Sequence, residues 1–179
     1  MNINPEVLNM LDKNIITLIN EQINKEWYSA YLYLEIHAFY VDNDLNGFGN
    51  WFLVQAQEER DHAMLLFKYL QNNNEKPKLF EIKAPAISFS DFRAPALAAY
   101  EHELTVTASI NNIYAAAFEL KDFRTMQLLD WFVKEQNEEE KNTQSLIKKY
   151  DLFGGDAKAL YMLDAELAAR IYAPPSLVL

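Results

Sequence analysis

The sequence predicts an all-α protein: an antiparallel four-helix bundle with one long crossover connection, followed by a short C-terminal fifth helix. Only four of the 179 residues are glycine while half are apolar, a balance that suits long uninterrupted helices better than a turn-rich sheet. Apolar residues recur at steps of three and four in four separate stretches, which is the α-helical period. Between the second and third stretches the period is lost for about eighteen residues, enough extended chain to reach ~60 Å.

The first helix is expected from about Pro5 to Val41, with a seam through Leu8, Leu11, Ile15, Ile19, Ile23, Glu26, Ala30, Tyr33, His37 and Tyr40. The polar run Asp42 to Gly47 makes a short turn, so the second helix, Phe48 to Asn72, returns antiparallel. Its stripe is Phe48, Phe52, Gln55, Glu59, His62, Leu66 and Tyr69. Asn73 to Ser90, interrupted by Pro77 and Pro85, is the crossover. A thirty-residue helix spans ~45 Å, so the crossover can run the length of the bundle and start the third helix parallel to the second. Asp91 is the expected N-cap there, with Pro95 in the first turn, and the helix continues to about Phe118 through Tyr100, Glu103, Thr107, Ile110, Tyr114 and Ala117. Asp122 caps a fourth helix running to about Tyr150 through Leu129, Phe132, Gln136, Glu139, Thr143, Leu146 and Tyr150. After Gly154 and Gly155, Asp156 caps the fifth helix, which reaches about Ile171 before Pro174 and Pro175. Its apolar face, Leu160, Leu163, Leu167 and Ile171, is expected to pack between subunits or against the bundle end, so the subunit is not expected to be a stable monomer. Residues 1–179 read as one domain, the bundle covering about 5–150 and the fifth helix about 156–171.

The absence of cysteine excludes disulfides, iron–sulfur clusters and thiolate zinc sites, leaving oxygen and imidazole as metal donors. A net charge of -10 attracts cations and repels nucleic acid and anionic membranes. The first residues, Met1 to Glu6, have no basic or apolar targeting character, and no apolar run reaches spanning length. The protein is expected to be soluble and cytoplasmic, without nucleic-acid or membrane partners.

Against this background, each of the four long seams carries a polar intruder near mid-helix: Glu26; Glu59 with His62; Glu103; Gln136 with Glu139. Unpaired buried carboxylates cost several kcal/mol each, and together they would erase a typical domain stability of ~5 to 15 kcal/mol. Two divalent metals would neutralise them at once, and carboxylates with one imidazole suit iron or manganese. A solvated acidic face accounts for Glu140 and Asp61, but not for intruders at matching depth on four helices.

The runs Glu21 to Ser29, Ala56 to His62 and Trp131 to Lys141 resemble bacterial non-haem ferritins, and the similarity covers nearly the whole chain. The resemblance implies the ferritin-like fold and a hollow homo-oligomeric cage of twenty-four subunits. It implies oxidation of Fe(II) by dioxygen or peroxide at a dinuclear ferroxidase centre, with storage of Fe(III) as a mineral. By motif, Glu26, Glu59 and His62 would hold one iron, and Glu59, Glu103 and Glu139 the other, with Glu59 bridging and Gln136 beside the second. Glu58, Glu135 and Glu138, with Glu139, match an additional iron site towards the cavity, and Tyr33 matches the tyrosine beside the centre. The fourth helix offers Gln136 and Glu139 in place of a second Glu-x-x-His, and Arg60 stands where a bacterioferritin would have its haem-ligating methionine, so no haem is expected. The alternative reading is a di-iron carboxylate oxidase acting on an organic substrate; a purely structural bundle would leave the carboxylates unexplained. His37 is read as core and His102 as surface or interface.

Overall fold

The computed structural model describes residues 10–179. Its elements are α1 (Lys13–Asp42), α2 (Asn46–Asn72), α3 (Ala94–Glu119), α4 (Phe123–Phe153) and α5 (Ala157–Leu167). Side-chain pairs fix the directions. Lys25 reaches Ser109 and Tyr40 reaches Phe92, so α1 and α3 run antiparallel. Gln55 meets Glu139 and Tyr69 meets Thr125, so α2 and α4 do likewise. With the α1–α2 hairpin, this places α2 parallel to α3, as the crossover requires.

The crossover climbs along α1. The Lys78 amide donates to Asn20 Oδ1 at 2.6 Å, Asn24 Nδ2 donates to the Glu81 carbonyl at 3.2 Å, and Phe89 packs edge-on against Phe39 with centroids 5.0 Å apart. A segment without its own ladder must satisfy its polar backbone elsewhere, and α1 supplies some of those partners.

Several boundaries differ from expectation. α1 begins at Lys13 because the Asp12 carboxylate accepts from the Asn14 amide at 2.7 Å and caps the helix. Met10 to Asp12 are therefore not helical, and the expected start at Pro5, with Leu8 of the seam, lies outside the described residues. α3 starts after Arg93: Asp91 Oδ1 accepts from the amides of both Arg93 and Ala94 at 2.8 Å, holding the approach to the helix without being its cap residue. Its buried stripe is Ala96, Ala99, Glu103, Val106, Ile110, Ile113 and Ala117. Tyr100, Thr107 and Tyr114 are only half-buried, and the Tyr114 hydroxyl turns outward to Asp130. Asp122 and Asp156 cap α4 and α5 as expected, accepting from the Thr125 and Ala159 amides.

α5 is shorter than expected and docks on the bundle end. Leu163 and Leu167 are buried, whereas Ile171 lies beyond the helix and is 86% exposed. Asp164 Oδ1 accepts from the Phe48 amide at 2.9 Å, giving α2 a capping acceptor from another element. The approach is close enough that a Cβ on Gly47 would stand 1.7 Å from the Asp164 carbonyl oxygen. The chain then folds back along α2 and α4. Asn50 Nδ2 donates to the Arg170 carbonyl at 3.0 Å, the Tyr172 hydroxyl donates to Asp61, and Trp131 Nε1 donates to Ser176 Oγ at 3.0 Å.

The core is divided. One apolar cluster gathers Ile15, Ile19, Ile23, Leu66, Leu70, Ile110, Leu129 and Phe132. The other gathers Tyr33, Ile36, Tyr40, Phe48, Phe52, Ala99, Leu146 and Leu163. Polar side chains from all four long helices lie between them.

Candidate metal centre

Each long helix crosses the dividing layer near its middle, and the helical period that aims leucines and isoleucines inward there aims a carboxylate instead. Glu26, Glu59, His62, Glu103, Gln136 and Glu139 are all buried, none more than 4% exposed, so solvent does not compensate their charge. Side chains satisfy part of it. Gln22 Nε2 donates to Glu26 Oε1 at 2.8 Å, Gln55 Nε2 to Glu139 Oε2 at 2.8 Å, and Gln136 Nε2 to Glu103 Oε2 at 3.1 Å. The Tyr33 hydroxyl donates to Glu103 Oε1. Glu26 Oε2, Glu59 Oε1 and Gln55 Oε1 are buried with no hydrogen-bond partner among the described residues. Three orphaned oxygens in one layer ask for a cation.

Burial and mutual repulsion raise the carboxyls of Glu59, Glu103 and Glu139 above the ordinary range. Desolvation raises Glu59 first, followed by the charges of Glu103, Glu26 and Glu139. Desolvation also raises Glu103, opposed by the hydrogen bonds from Tyr33 and Gln136, and pushes Glu139 to about 8. The Tyr33 phenol is held well above 10 by burial and then by Glu103 and Glu59. Groups that repel in this way are poised to release protons to a metal.

Donor atoms converge in two groups: Glu26, Glu59 and His62, and His62, Glu135 and Glu139. The first is the trio the sequence assigns to one iron. The second set expected, Glu59 with Glu103 and Glu139, is not gathered as tightly. Glu103 is turned towards Tyr33 and Gln136 instead, and Glu139 towards Gln55. His62 leans edge-on against Trp131 at 5.5 Å, with Nδ1 3.5 Å from Glu59 Oε2.

A family model described as a ferritin-like domain matches residues 16–153. The chain belongs to the ferritin family. This ferritin is 38% identical over 155 residues to a bacterial non-heme ferritin of Campylobacter jejuni, covering 87% of the chain and 93% of that relative. It is 32% identical over 163 residues to the Staphylococcus aureus protein of the same description, covering 91% and 98%. Among solved structures it superposes on an open pore ferritin from the hyperthermophilic archaeon Archaeoglobus fulgidus with a TM-score of 0.88 at 38% identity, covering 90% of this chain and 98% of that one. An engineered closed form of the Archaeoglobus fulgidus ferritin gives 0.89 at the same identity, covering 91% and 99%.

Glu58, expected with Glu135 and Glu138 at an additional iron site, has its carboxyl raised by burial first, lowered by the charges of Arg170 and His62, and raised by those of Glu135 and Glu138. Two acids read as solvated are engaged instead. Asp61 accepts from Arg60 at 2.8 Å and from Tyr172, and Glu140 accepts from Thr107 at 2.6 Å. The two remaining histidines also differ from expectation. His37 is half-buried, its Nδ1 2.9 Å from the Gly49 carbonyl oxygen. His102 is tucked against Tyr28 and Tyr33, with Nε2 2.7 Å from Ser29 Oγ, and burial lowers it to about 4.

Gln22 and Gln55 do not stand out as site residues in the sequence. The signal was their position, each four residues before a seam glutamate and therefore on the same face. Spacing alone misleads on the partner: Gln22 does bond Glu26, but Gln55 reaches across to Glu139.

Proposed function

We propose that this ferritin is an iron-storage protein and ferroxidase: two Fe(II) ions bind among Glu26, Glu59, His62, Glu103, Gln136 and Glu139 and pass electrons to dioxygen or peroxide. The resulting Fe(III) is stored as a mineral inside a cage of identical subunits. The observation that carries this is the buried layer of four carboxylates and one imidazole in which Glu26 Oε2 and Glu59 Oε1 have no hydrogen-bond partner among the described residues.

In this reading the iron is substrate and the chain supplies its environment. Carboxylate oxygens favour Fe(III) over Fe(II), which drives the oxidation, and Glu59 between the two ions keeps both electrons available to one oxidant. Tyr33 holds Glu103 in place through its hydroxyl. Glu58, Glu135 and Glu138, with Glu139, provide a third iron site through which product leaves for the cavity. The twenty-four-subunit assembly, the absence of haem and a cytoplasmic location belong to the same proposal. Among the described residues no helix is long and apolar enough to cross a membrane. An oxidase for an organic substrate would need a pocket beside the carboxylates, and there Tyr33, Phe52 and Phe132 fill the core.

Replacing Glu59 by alanine is expected to abolish rapid aerobic Fe(II) oxidation, followed as ferric absorbance, while the exposed change Glu101→Gln leaves it intact. Equal rates in wild type and Glu59→Ala would refute the ferroxidase reading. Sedimentation giving only a species near 20.8 kDa at micromolar concentration would refute the cage.

A further inference from the structure

After α5 the chain does not leave the molecule; it is pinned along the outer flank of α2, beside the acidic corner. The most heavily anchored residue of this strap is Arg170. Its Nη2 donates to Glu58 Oε2 at 2.6 Å, its Nη1 donates to the Trp51 carbonyl at 3.2 Å, and its guanidinium carbon stands 4.4 Å above the centre of the Trp51 ring. Both side chains of the ion pair are 20% exposed, so the pair is shielded from water more than a surface contact is. Asn50 donates to the Arg170 carbonyl, and the contacts of Tyr172 and Ser176 hold the segment beyond it.

We propose that Arg170 is a built-in cation of the Glu58, Glu135 and Glu138 corner, and that a metal ion can lodge there only by displacing it. This rests on the function proposed above, in which that corner is the third iron site. Two effects act in the same direction. The guanidinium occupies one oxygen of Glu58, removing a ligand, and its positive charge repels an incoming divalent ion. Stacking on Trp51 keeps the charge fixed at the corner. The result is a third site that metal passes through instead of filling, and its occupancy is linked to the position of the C-terminal strap. The linkage is reciprocal: if the strap weakens metal binding, metal must loosen the strap by the same factor.

The test compares assembled wild-type protein with Arg170→Gln, which removes the charge and leaves a shorter, neutral side chain. Crystals are soaked in a series of Zn(II) concentrations, a redox-inert probe, and occupancy is read by anomalous diffraction. Half-filling of the site bounded by Glu58, Glu135 and Glu138 is expected at about tenfold lower Zn(II) in Arg170→Gln, the effect of one charge-assisted hydrogen bond, with occupancy at Glu26, Glu59 and His62 unchanged. Equal or weaker filling of the third site in the variant, with those three residues loaded in both proteins, would overturn the proposal alone. No Zn(II) at Glu26, Glu59 and His62 in either protein would overturn the proposed metal centre and this inference with it. A second readout needs no metal: Glu58→Gln should speed amide hydrogen exchange across residues 168–179, and unchanged exchange there would show that the pair does not hold the strap.

Discussion

Glu139 offers a measure of what the buried layer costs the protein without metal. Its carboxyl titrates near 8 in the fold against 4.5 for an ordinary glutamate, because burial first and the Glu103 charge second disfavour ionisation. Between those values the unfolded chain has lost the proton that the folded chain keeps, so the unfolded state binds fewer protons and stability falls as pH rises. The penalty is absent below 4.5, grows through the window from 4.5 to 8, and is constant above it. At ~1.4 kcal/mol per tenfold, it amounts to about 3 kcal/mol at pH 7. Glutamine at this position stays neutral at every pH and can still accept from Gln55, so Glu139→Gln should relieve the penalty. In chelator-treated protein its thermal midpoint should exceed that of wild type by roughly 6 to 12 °C at pH 7, at ~2 to 4 °C per kcal/mol for a chain of this size. The two proteins should converge near pH 4.5. Comparing variant with wild type at each pH isolates Glu139 from other titrating groups. Saturating Zn(II) should reverse the order, because the variant has lost a ligand. A Glu139→Gln protein no more stable than wild type at pH 8 without metal would refute this account of the layer.

Tyr33→Phe removes the hydroxyl that donates to Glu103 and should slow Fe(II) oxidation about tenfold in stopped flow while Zn(II) content is unchanged; loss of metal instead would make Tyr33 structural. Gly47→Ala would normally gain ~1 kcal/mol in a helix, but its Cβ would meet the Asp164 carbonyl at 1.7 Å. It should therefore lose ~2 kcal/mol net and expose α5 to hydrogen exchange, and a raised thermal midpoint would contradict the docking. His102, lowered to about 4 by burial, should stay neutral from pH 5 upward, and its stabilising contribution should be complete above 6.5 and lost as pH falls towards 4. An imidazole NMR titration with a midpoint above 6 would disprove it.

The helices and the carboxylate layer were legible because both follow from one period: the steps that place Ile19 and Ile23 in the core also place Glu26 there. Caps were legible at Asp122 and Asp156, where a break in the pattern precedes the acid, and not at Asp12, where apolar spacing continues upstream, nor at Asp91, which reaches forward from three positions before α3 begins. Contacts set by tertiary packing left no such trace. Arg170 lies 112 positions from Glu58, and nothing local says that the chain folds back after α5. His102 sits on a flank that periodicity alone assigns to solvent, yet Tyr28 and Ser29 of α1 cover it.

The antiparallel pairing has a further electrical consequence. α1 and α4 begin at one end of the bundle, α2 and α3 at the other, so each end presents two helix N-termini and two C-termini. Their macrodipoles oppose one another, and a dipole acts only within the terminal turns. Glu26 lies thirteen residues into α1 and Glu59 thirteen into α2, far from either influence. The backbone therefore leaves the middle of the molecule nearly neutral, and the potential that draws a cation inward comes from side chains alone. Substituting one carboxylate there should consequently shift the field at the site more than any rearrangement of the helix ends.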